Sequence, residues 1–325
     1  MSNSSAIKIV FGGAPIGPNP SFPYFPDEES IEKLYRLLEE GGVDAIDTAR
    51  IYENSEEWIG KTGGGKRFPI DSKTPGGFAP GSSTSENIPQ HAKESVERTG
   101  VDKLDIFYIH GPDASVPLEN QLEGINTAYT AGYFKRFGLS NFSADDVQRV
   151  YDICKEKGYP LPTVYQANYS AVARKNEAVL FPLLRKLGIA LYVYSPIAGG
   201  LLTKTSAQLR ARENAGRFTK GDGMERLYGP LYNKPAYYTA LDLWAEAAKE
   251  AGCSGAELAY RWVAFDSAVD ASYGDAIIFG CSRHSQVANT IAWLRSGSVG
   301  EKAKAKIDEI WKVVEHEAPV DNYHH

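Results

Sequence analysis

Four residues in the first third of the chain carry side chains that could do proton chemistry together: Asp47, Tyr52, Lys73 and His110. Three of them sit where apolar runs end. Asp47 closes "VDAID", Lys73 lies in "FPIDSKT", and His110 follows "LDIFYI". A buried strand has no reason to end on a charge unless it opens there onto a polar space. Tyr52 comes just past Asp47, in a stretch too polar to prolong the strand. A tyrosine hydroxyl has an ordinary pKa of ~10, too high to lend a proton readily at neutral pH. A nearby ammonium lowers that value, and a carboxylate keeps the ammonium charged and aimed. Asp47 would then hold Lys73, Lys73 would tune Tyr52 into a general acid, and His110 would hydrogen-bond and orient a substrate carbonyl. Such a site polarises a carbonyl and supplies a proton, but it has neither a built-in nucleophile nor a metal cluster. It needs a hydride.

Each residue alone has a plainer explanation. A strand-end aspartate caps a helix or pairs with a cation, a strand lysine runs its stem along apolar surface, a histidine satisfies a local carbonyl, and a tyrosine packs. The elements that carry them decide the matter. Eight short β-rich runs recur, at 7–13, 43–49, 68–74, 104–111, 134–141, 163–169, 189–196 and 275–282, most of them bounded by Gly, Pro or Asn. Helical patterns alternate with them. In "DEESIEKLYRLLEEGG" Ile31, Leu34, Tyr35, Leu37 and Leu38 form one stripe, with Asp27 as N-cap and Gly41 as stop. "SADDVQRVYDICKEKG" repeats the pattern with Ser143 and Gly158, as do "EAVLFPLLRKLG" and "YYTALDLWAEAAKEAG". Alternating strands and helices argue for parallel βαβ units. Eight such units favour a closed (β/α)8 TIM barrel over an open doubly wound sheet. Successive C-terminal strand ends would face one mouth and bring Asp47, Lys73 and His110 together. The expected organisation is one barrel domain over 1–325, with a long loop after strand 7 and a C-terminal helix and tail.

No G-x-G-x-x-G follows an early strand, which speaks against a Rossmann domain. "GKT" at 60–62 lacks the partner glycine of a phosphate loop, since Ser55 stands in its place. The connection from 197 to 236 is out of proportion, and loops of that length are usually functional or disordered. It carries Lys204, Arg210, Arg212, Arg217, Lys220 and Arg226 against Glu213, Asp222 and Glu225, a basic island in an acidic chain. Charge alone leaves it open whether this is a solvated surface loop or a binding element.

A formal charge of −6 provides no basic footprint for nucleic acid or anionic membrane. No apolar run is long enough for a membrane span, and "MSNSSAIKIVFGG" is too polar at its start for a signal segment. Cys154, Cys253 and Cys281 are scattered without metal spacing, as free thiols in a reducing compartment would be. The expectation is a soluble cytoplasmic protein. His324 and His325 read as a tag remnant.

At this point "IDTARIY", "DSKT", "FYIHGPD", "GLSNF", "TVYQANY" and "YSPIAGGLLT", in that order, resemble the aldo-keto reductases, most of all the aflatoxin-aldehyde reductase branch and its fungal relatives. The likeness runs through "GDAIIFGCS" to "WKVVEHEAP". It implies an NADPH-dependent barrel reductase acting on a small carbonyl compound, with Tyr52 as acid and Asp47, Lys73 and His110 as its partners. It also implies that Ser140, Asn141 and Gln166 hold the nicotinamide amide and that Tyr194 stacks on the ring. The turn from Ser195 through Pro196, Gly199, Gly200 and Leu201 to Lys204 would meet the pyrophosphate, its glycines allowing close backbone approach. Arg217, in "GRF", matches the cofactor clamp. Ser282, Arg283 and Gln286 would take the adenosine 2'-phosphate at a helix start. The resemblance thus favours a binding role for the basic island.

There are departures. Asn289-Thr290 stands where relatives have an asparagine one position later, which weakens one adenosine contact carried over to Asn289. "LYGPLYNK" and "DNYHH" lack, in register, the arginines with which relatives bind carboxylate-bearing aldehydes; Arg226 is a candidate substitute, and substrates with a free carboxylate are not the expected ones. Aromatic and apolar residues set near the mouth (Phe11, Trp58, Phe78, Tyr228, Tyr232) point to an aryl or polyketide-like carbonyl, with Tyr228 and His110 as substrate contacts. Two rivals remain: a Schiff-base lyase using Lys73 as nucleophile, and a non-catalytic NADP-sensing subunit. A carboxylate beside Lys73 raises its pKa and argues against the first. The oligomeric state stays open between monomer and homodimer.

Overall fold

A computed structural model describes residues 6–324. The reading of the polar N-terminal start falls partly on residues 1–5, and that of His325 on the last residue, both outside this range. All eight expected strands form: β1 (Lys8–Gly12), β2 (Ala45–Asp47), β3 (Ile70–Thr74), β4 (Leu104–Ile109), β5 (Phe134–Ser140), β6 (Pro162–Asn168), β7 (Ala190–Tyr194) and β8 (Ala276–Phe279). They pair in parallel in sequence order, and β8 closes onto β1, making a (β/α)8 barrel.

Alternation along each strand separates two cores. Val10, Ala45, Ile106, Tyr108, Val164, Tyr192, Ala276 and Ile278 fill the barrel. Their neighbours in sequence, such as Ile9, Phe11, Ile46, Ile70, Phe107 and Ile277, pack outward under the helices. The helix Glu28–Glu40 starts where expected, with the Asp27 carboxylate accepting from Ser30 N at 2.8 Å, and buries Ile31, Leu34, Tyr35 and Leu38. Ala144–Lys157 is capped by Ser143 and ends on Gly158 at φ 67°, a left-handed position that suits glycine. No helix among the described residues is long and apolar enough to cross a membrane.

The long connection after β7 is folded. It contains a 3-10 turn at Ala198–Thr203, a helix at Ser206–Ala211, a second turn at Gly216–Phe218 and a helix at Glu225–Tyr232. Leu201, Leu209, Phe218, Leu231 and Tyr232 are buried in the outer core and hold it down. After the C-terminal helix Glu301–Val314, the tail also takes a fixed course. The His324 N–H donates to Asp321 Oδ1 at 2.7 Å, and its Nδ1 lies 2.8 Å from Asp321 Oδ2.

Candidate active site

Strand register builds the floor of the site. Asp47 lies beside Asp71 across the β2–β3 pair, so Lys73, two residues further along β3 on the same face, points inward above it. Ser72 between them faces outward and donates to Glu56 of the helix Ser55–Lys61. The Lys73 ammonium is fully buried and donates to both Asp47 oxygens at 2.7 Å and to Thr48 O at 2.6 Å. Three acceptors use all three of its protons. Gln166 Nε2 donates to Asp47 Oδ1 at 2.8 Å from the opposite side of the barrel. A buried ion pair so closely satisfied fixes the position of both groups.

Tyr52 sits in the turn after β2. Its N–H donates to Ala49 O at 2.9 Å, and the loop is held by Thr48 Oγ1 on Ser55 Oγ and by Ser55 Oγ on Gly13 O. The ring lies 5.5 Å from Lys73 Nζ and 5.8 Å from the His110 ring, edge to face. The expected lowering of the Tyr52 phenol is not what this arrangement produces. Burial pushes its pKa up, the Asp47 carboxylate and Tyr228 add to that, and the Arg217 charge opposes it. Lys73 spends its protons on Asp47 and Thr48, and Asp47 offsets its field. Tyr52 therefore keeps its proton at neutral pH. His110 is held well below the ordinary histidine value by burial and by the Lys73 charge, so it is a neutral imidazole. Its Nδ1 is buried without a partner, which leaves Nε2 as the nitrogen open to the cavity.

These groups line one end of a cavity of about 610 Å³. Asp47, Tyr52 and His110 are on its wall and Lys73 lies beneath. Ser140, Asn141, Gln166 and Tyr194 line it next, with the Tyr194 hydroxyl donating to Asn141 Oδ1 at 3.0 Å. Ser195, Pro196, Gly199, Gly200 and Lys204 continue the wall, followed by Arg217 and Tyr228 and, on the far side, Ser282 and Gln286. Three expected residues do not line it. Leu201 is buried in the core, while Arg283 and Asn289 are exposed, and Thr290 takes the wall position beside Asn289. Arg226 is also exposed and off the wall.

Of the aromatic residues set near the mouth, only Phe78 and Tyr228 are there. Phe11 faces outward on β1, against Phe25 and Phe279. Trp58 packs over Gly17, and Tyr232 is buried and bonded by Asn168. Phe22 and Tyr24, in the Pro-rich loop after β1, line the cavity instead, as do Ile51, Tyr260, Trp293 and Asn322. Position after a strand's C-terminal end was the available signal for the first two.

The far part of the cavity suits a phosphate-bearing ligand. Gly199 and Gly200 have φ of 67° and 101°, and a Cβ on Gly199 would stand 2.2 Å from the Tyr228 ring. That backbone is bare where it meets the cavity. Lys204 has its pKa lowered by burial and by the neighbouring Arg283 charge, and neither makes an ion pair among the described residues. Lys204 on the wall, with the exposed Arg283 near enough to act on it, favours an anion at this part of the cavity, although the Asp222 carboxylate is also on the lining. The helix His284–Trp293 contributes less than its position suggests, because Gln286 Oε1 accepts from Ser282 N at 2.9 Å and Arg283 N at 3.2 Å. The amides expected to face a phosphate are capped by Gln286. The basic island divides similarly: Lys204 and Arg217 line the cavity, whereas Arg212 pairs with Glu225 and Arg210 lies over the Tyr238 ring at 4.0 Å.

The chain is similar to known proteins over nearly its whole length. The model of the aldo/keto reductase family matches residues 8–312. The chain is 35% identical to the oxidoreductase sirO of Leptosphaeria maculans over 96% of its own length and 95% of that protein. It is 32% identical to aldo-keto reductase family 7 member A3 of Homo sapiens, covering 90% of this chain and 92% of the relative. Aflatoxin B1 aldehyde reductase member 2 of Rattus norvegicus is 30% identical, over 98% and 91% of the two chains.

Proposed function

The chain belongs to the aldo/keto reductase family, and from that premise we propose that it reduces an aldehyde or ketone to the alcohol with NADPH, using Tyr52 as general acid. NADPH, when bound, supplies the hydride. The chain's own residues do the rest. His110 Nε2 donates to the carbonyl oxygen and orients it, and Tyr52 gives that oxygen its proton as negative charge develops there. The phenolate left behind is stabilised by the Lys73 charge across the ring face, and Asp47 keeps that charge in place. Ser140, Asn141 and Gln166 would hold the nicotinamide amide against Tyr194. The turn at Gly199 and Gly200 would hold the pyrophosphate, with Arg217 over it and Lys204, Arg283 and Ser282 on the adenosine phosphate.

The observation that carries the proposal is geometric: Tyr52 and His110 stand edge to face at 5.8 Å on one cavity wall, above the buried Lys73–Asp47 ion pair. The proposal takes the chain as one catalytic domain working in the cytoplasm. Free Cys154, Cys253 and Cys281 fit a reducing compartment. The test is a panel of aldehydes and ketones offered with NADPH and with NADH, following loss of the reduced-nicotinamide absorbance. Turnover with preference for NADPH is expected, and Lys204→Ala with Arg283→Ala should reduce that preference about tenfold, as loss of charge-assisted hydrogen bonds would. No turnover with any carbonyl would defeat the proposal.

A further inference from the structure

One amide on the cavity wall is not used by the fold. Of the amide side chains there, Asn141 donates to His110 O, Gln166 donates to Asp47, and Gln286 accepts from Ser282 N. Asn322 also lines the cavity, but its carbonyl oxygen is buried without a partner, and among the described residues its side chain makes no hydrogen bond. Buried polar groups are ordinarily paired; this oxygen is enclosed behind the wall as it stands, and turning the amide toward the cavity that Asn322 lines would give it a partner there.

The segment that presents Asn322 is fixed on both sides. Asn176 Nδ2 donates to Val320 O at 3.0 Å, and Asp321 gathers the N–H groups of Tyr323 and His324. The Tyr323 hydroxyl donates to Pro112 O at 3.0 Å. Its ring stands 5.0 Å from Phe78, which in turn stands 4.8 Å from His110. The amide is therefore delivered to the carbonyl-polarising end of the cavity. Ile51 and Phe78 add apolar surface to the lining, and both are more than a third exposed, at 38% and 40%. Asp321, next to Asn322 and buried, adds negative charge that disfavours an anionic substituent.

We propose that Asn322 is a substrate-contact residue that selects an aromatic aldehyde or ketone carrying a neutral hydrogen-bond donor, such as a phenolic hydroxyl, over the unsubstituted ring and over its carboxylate; this rests on the carbonyl-reductase reading above. The Phe78 and Ile51 side chains take the ring, and the Asn322 carbonyl, rotated into the cavity, accepts from the hydroxyl.

The test compares kcat/KM with NADPH for benzaldehyde, its three hydroxy isomers and 4-carboxybenzaldehyde, in the unmodified protein, Asn322→Leu and Asn322→Asp. The ratio of the best hydroxy isomer to benzaldehyde should fall about three- to tenfold in Asn322→Leu, the share of one hydrogen bond. Comparing ratios cancels the electronic effect of the hydroxyl. Benzaldehyde serves as the reference in each variant, so that a general loss of activity cancels in the ratio. Asn322→Asp keeps an acceptor, so it should keep the hydroxyl preference while lowering 4-carboxybenzaldehyde further. An unchanged ratio in Asn322→Leu overturns the role of Asn322 and leaves the reductase reading standing. Failure of the unmodified protein to reduce any of these aldehydes or other carbonyls overturns both.

Discussion

The Lys73 ammonium faces the Tyr52 ring from 5.5 Å, yet it gives its three hydrogen bonds to Asp47 and Thr48. The pair is coupled by charge and not by a shared proton. Burial holds the proton on Tyr52 in the resting site, and the ammonium acts when negative charge reaches the phenolic oxygen.

Removing only the Tyr52 hydroxyl should separate binding from chemistry. Tyr52→Phe keeps the ring against His110 and leaves the phosphate end of the cavity untouched. Carbonyl reduction should fall roughly 10²–10⁴-fold, the usual contribution of a general acid, with NADPH affinity within about twofold. Steady-state kinetics and fluorescence titration measure the two quantities. Activity within a few-fold of the unmodified protein would place the acid elsewhere.

Lys73 and Asp47 should show a stability cost as well as a catalytic one. Lys73→Met strands a buried carboxylate with only Gln166 beside it, and breaking a buried pair costs about 3–5 kcal/mol. A lowered Tm should accompany loss of turnover. Asp47→Asn keeps an acceptor for Lys73 and removes a charge that raises the Tyr52 pKa, so any tyrosine-linked limb in kcat/KM should move to lower pH. Its activity should suffer less than that of Lys73→Met. Schiff-base chemistry at Lys73 needs a free lone pair, which an ammonium with three acceptors does not offer. A borohydride-stable adduct on Lys73, without NADPH consumption, would reverse this assignment.

The eight strands and the Asp47, Tyr52, Lys73 and His110 positions were legible because apolar runs that end on charged or polar groups are a local signal, and barrel closure converts it into convergence. The direction of the Tyr52 pKa was not, since it depends on burial and on how Lys73 divides its protons. Phe11 was misplaced by one step of strand alternation: Val10 faces the barrel and Phe11 the helices. In the long connection, charged residues concealed the irregular apolar anchors Leu209, Phe218 and Leu231. The resemblance marks the tail stretch "DNYHH" as one that meets substrate in relatives, but not Asn322 within it, because the tail has no regular secondary structure and only the chain path brings that residue to the cavity.

His91 should make stability depend on pH below neutrality. It lies behind β3, with Nδ1 2.8 Å from Thr74 Oγ1, and burial together with the Arg50 charge lowers its pKa to about 4. Above pH ~6.5 the ring is neutral in both folded and unfolded chains and has no effect. As pH falls from there toward 4, the unfolded chain binds a proton that the folded one refuses, so stability is lost over that window. His91→Gln, which retains a partner for Thr74, should show a shallower decline in urea midpoint between pH 6.5 and 4. Parallel curves for the two proteins would show that His91 titrates normally.

Gly199 tests how the cofactor end of the cavity is assembled. At φ 67° an alanine there costs roughly 1–2 kcal/mol in backbone strain alone. Its Cβ would also meet the Tyr228 ring at 2.2 Å, so the ring must move. Tyr228 accepts a hydrogen bond from Arg217 Nη1 at 3.0 Å, and Arg217 also lies 5.1 Å from the Phe22 ring across the cavity. Displacing Tyr228 therefore loosens the arginine that bridges the two loops. Gly199→Ala should weaken NADPH binding about tenfold and raise the apparent KM. It should leave kcat at saturating cofactor within about threefold, since Tyr52, Lys73 and His110 are untouched. In a Tyr228→Ala background the same glycine substitution meets no ring, and only the backbone strain remains. The coupling between the two sites, read from a double-mutant cycle of NADPH affinities, should be at least about fivefold. Additive effects would mean that Gly199 acts through strain alone, and that Tyr228 and Arg217 do not form one clamp.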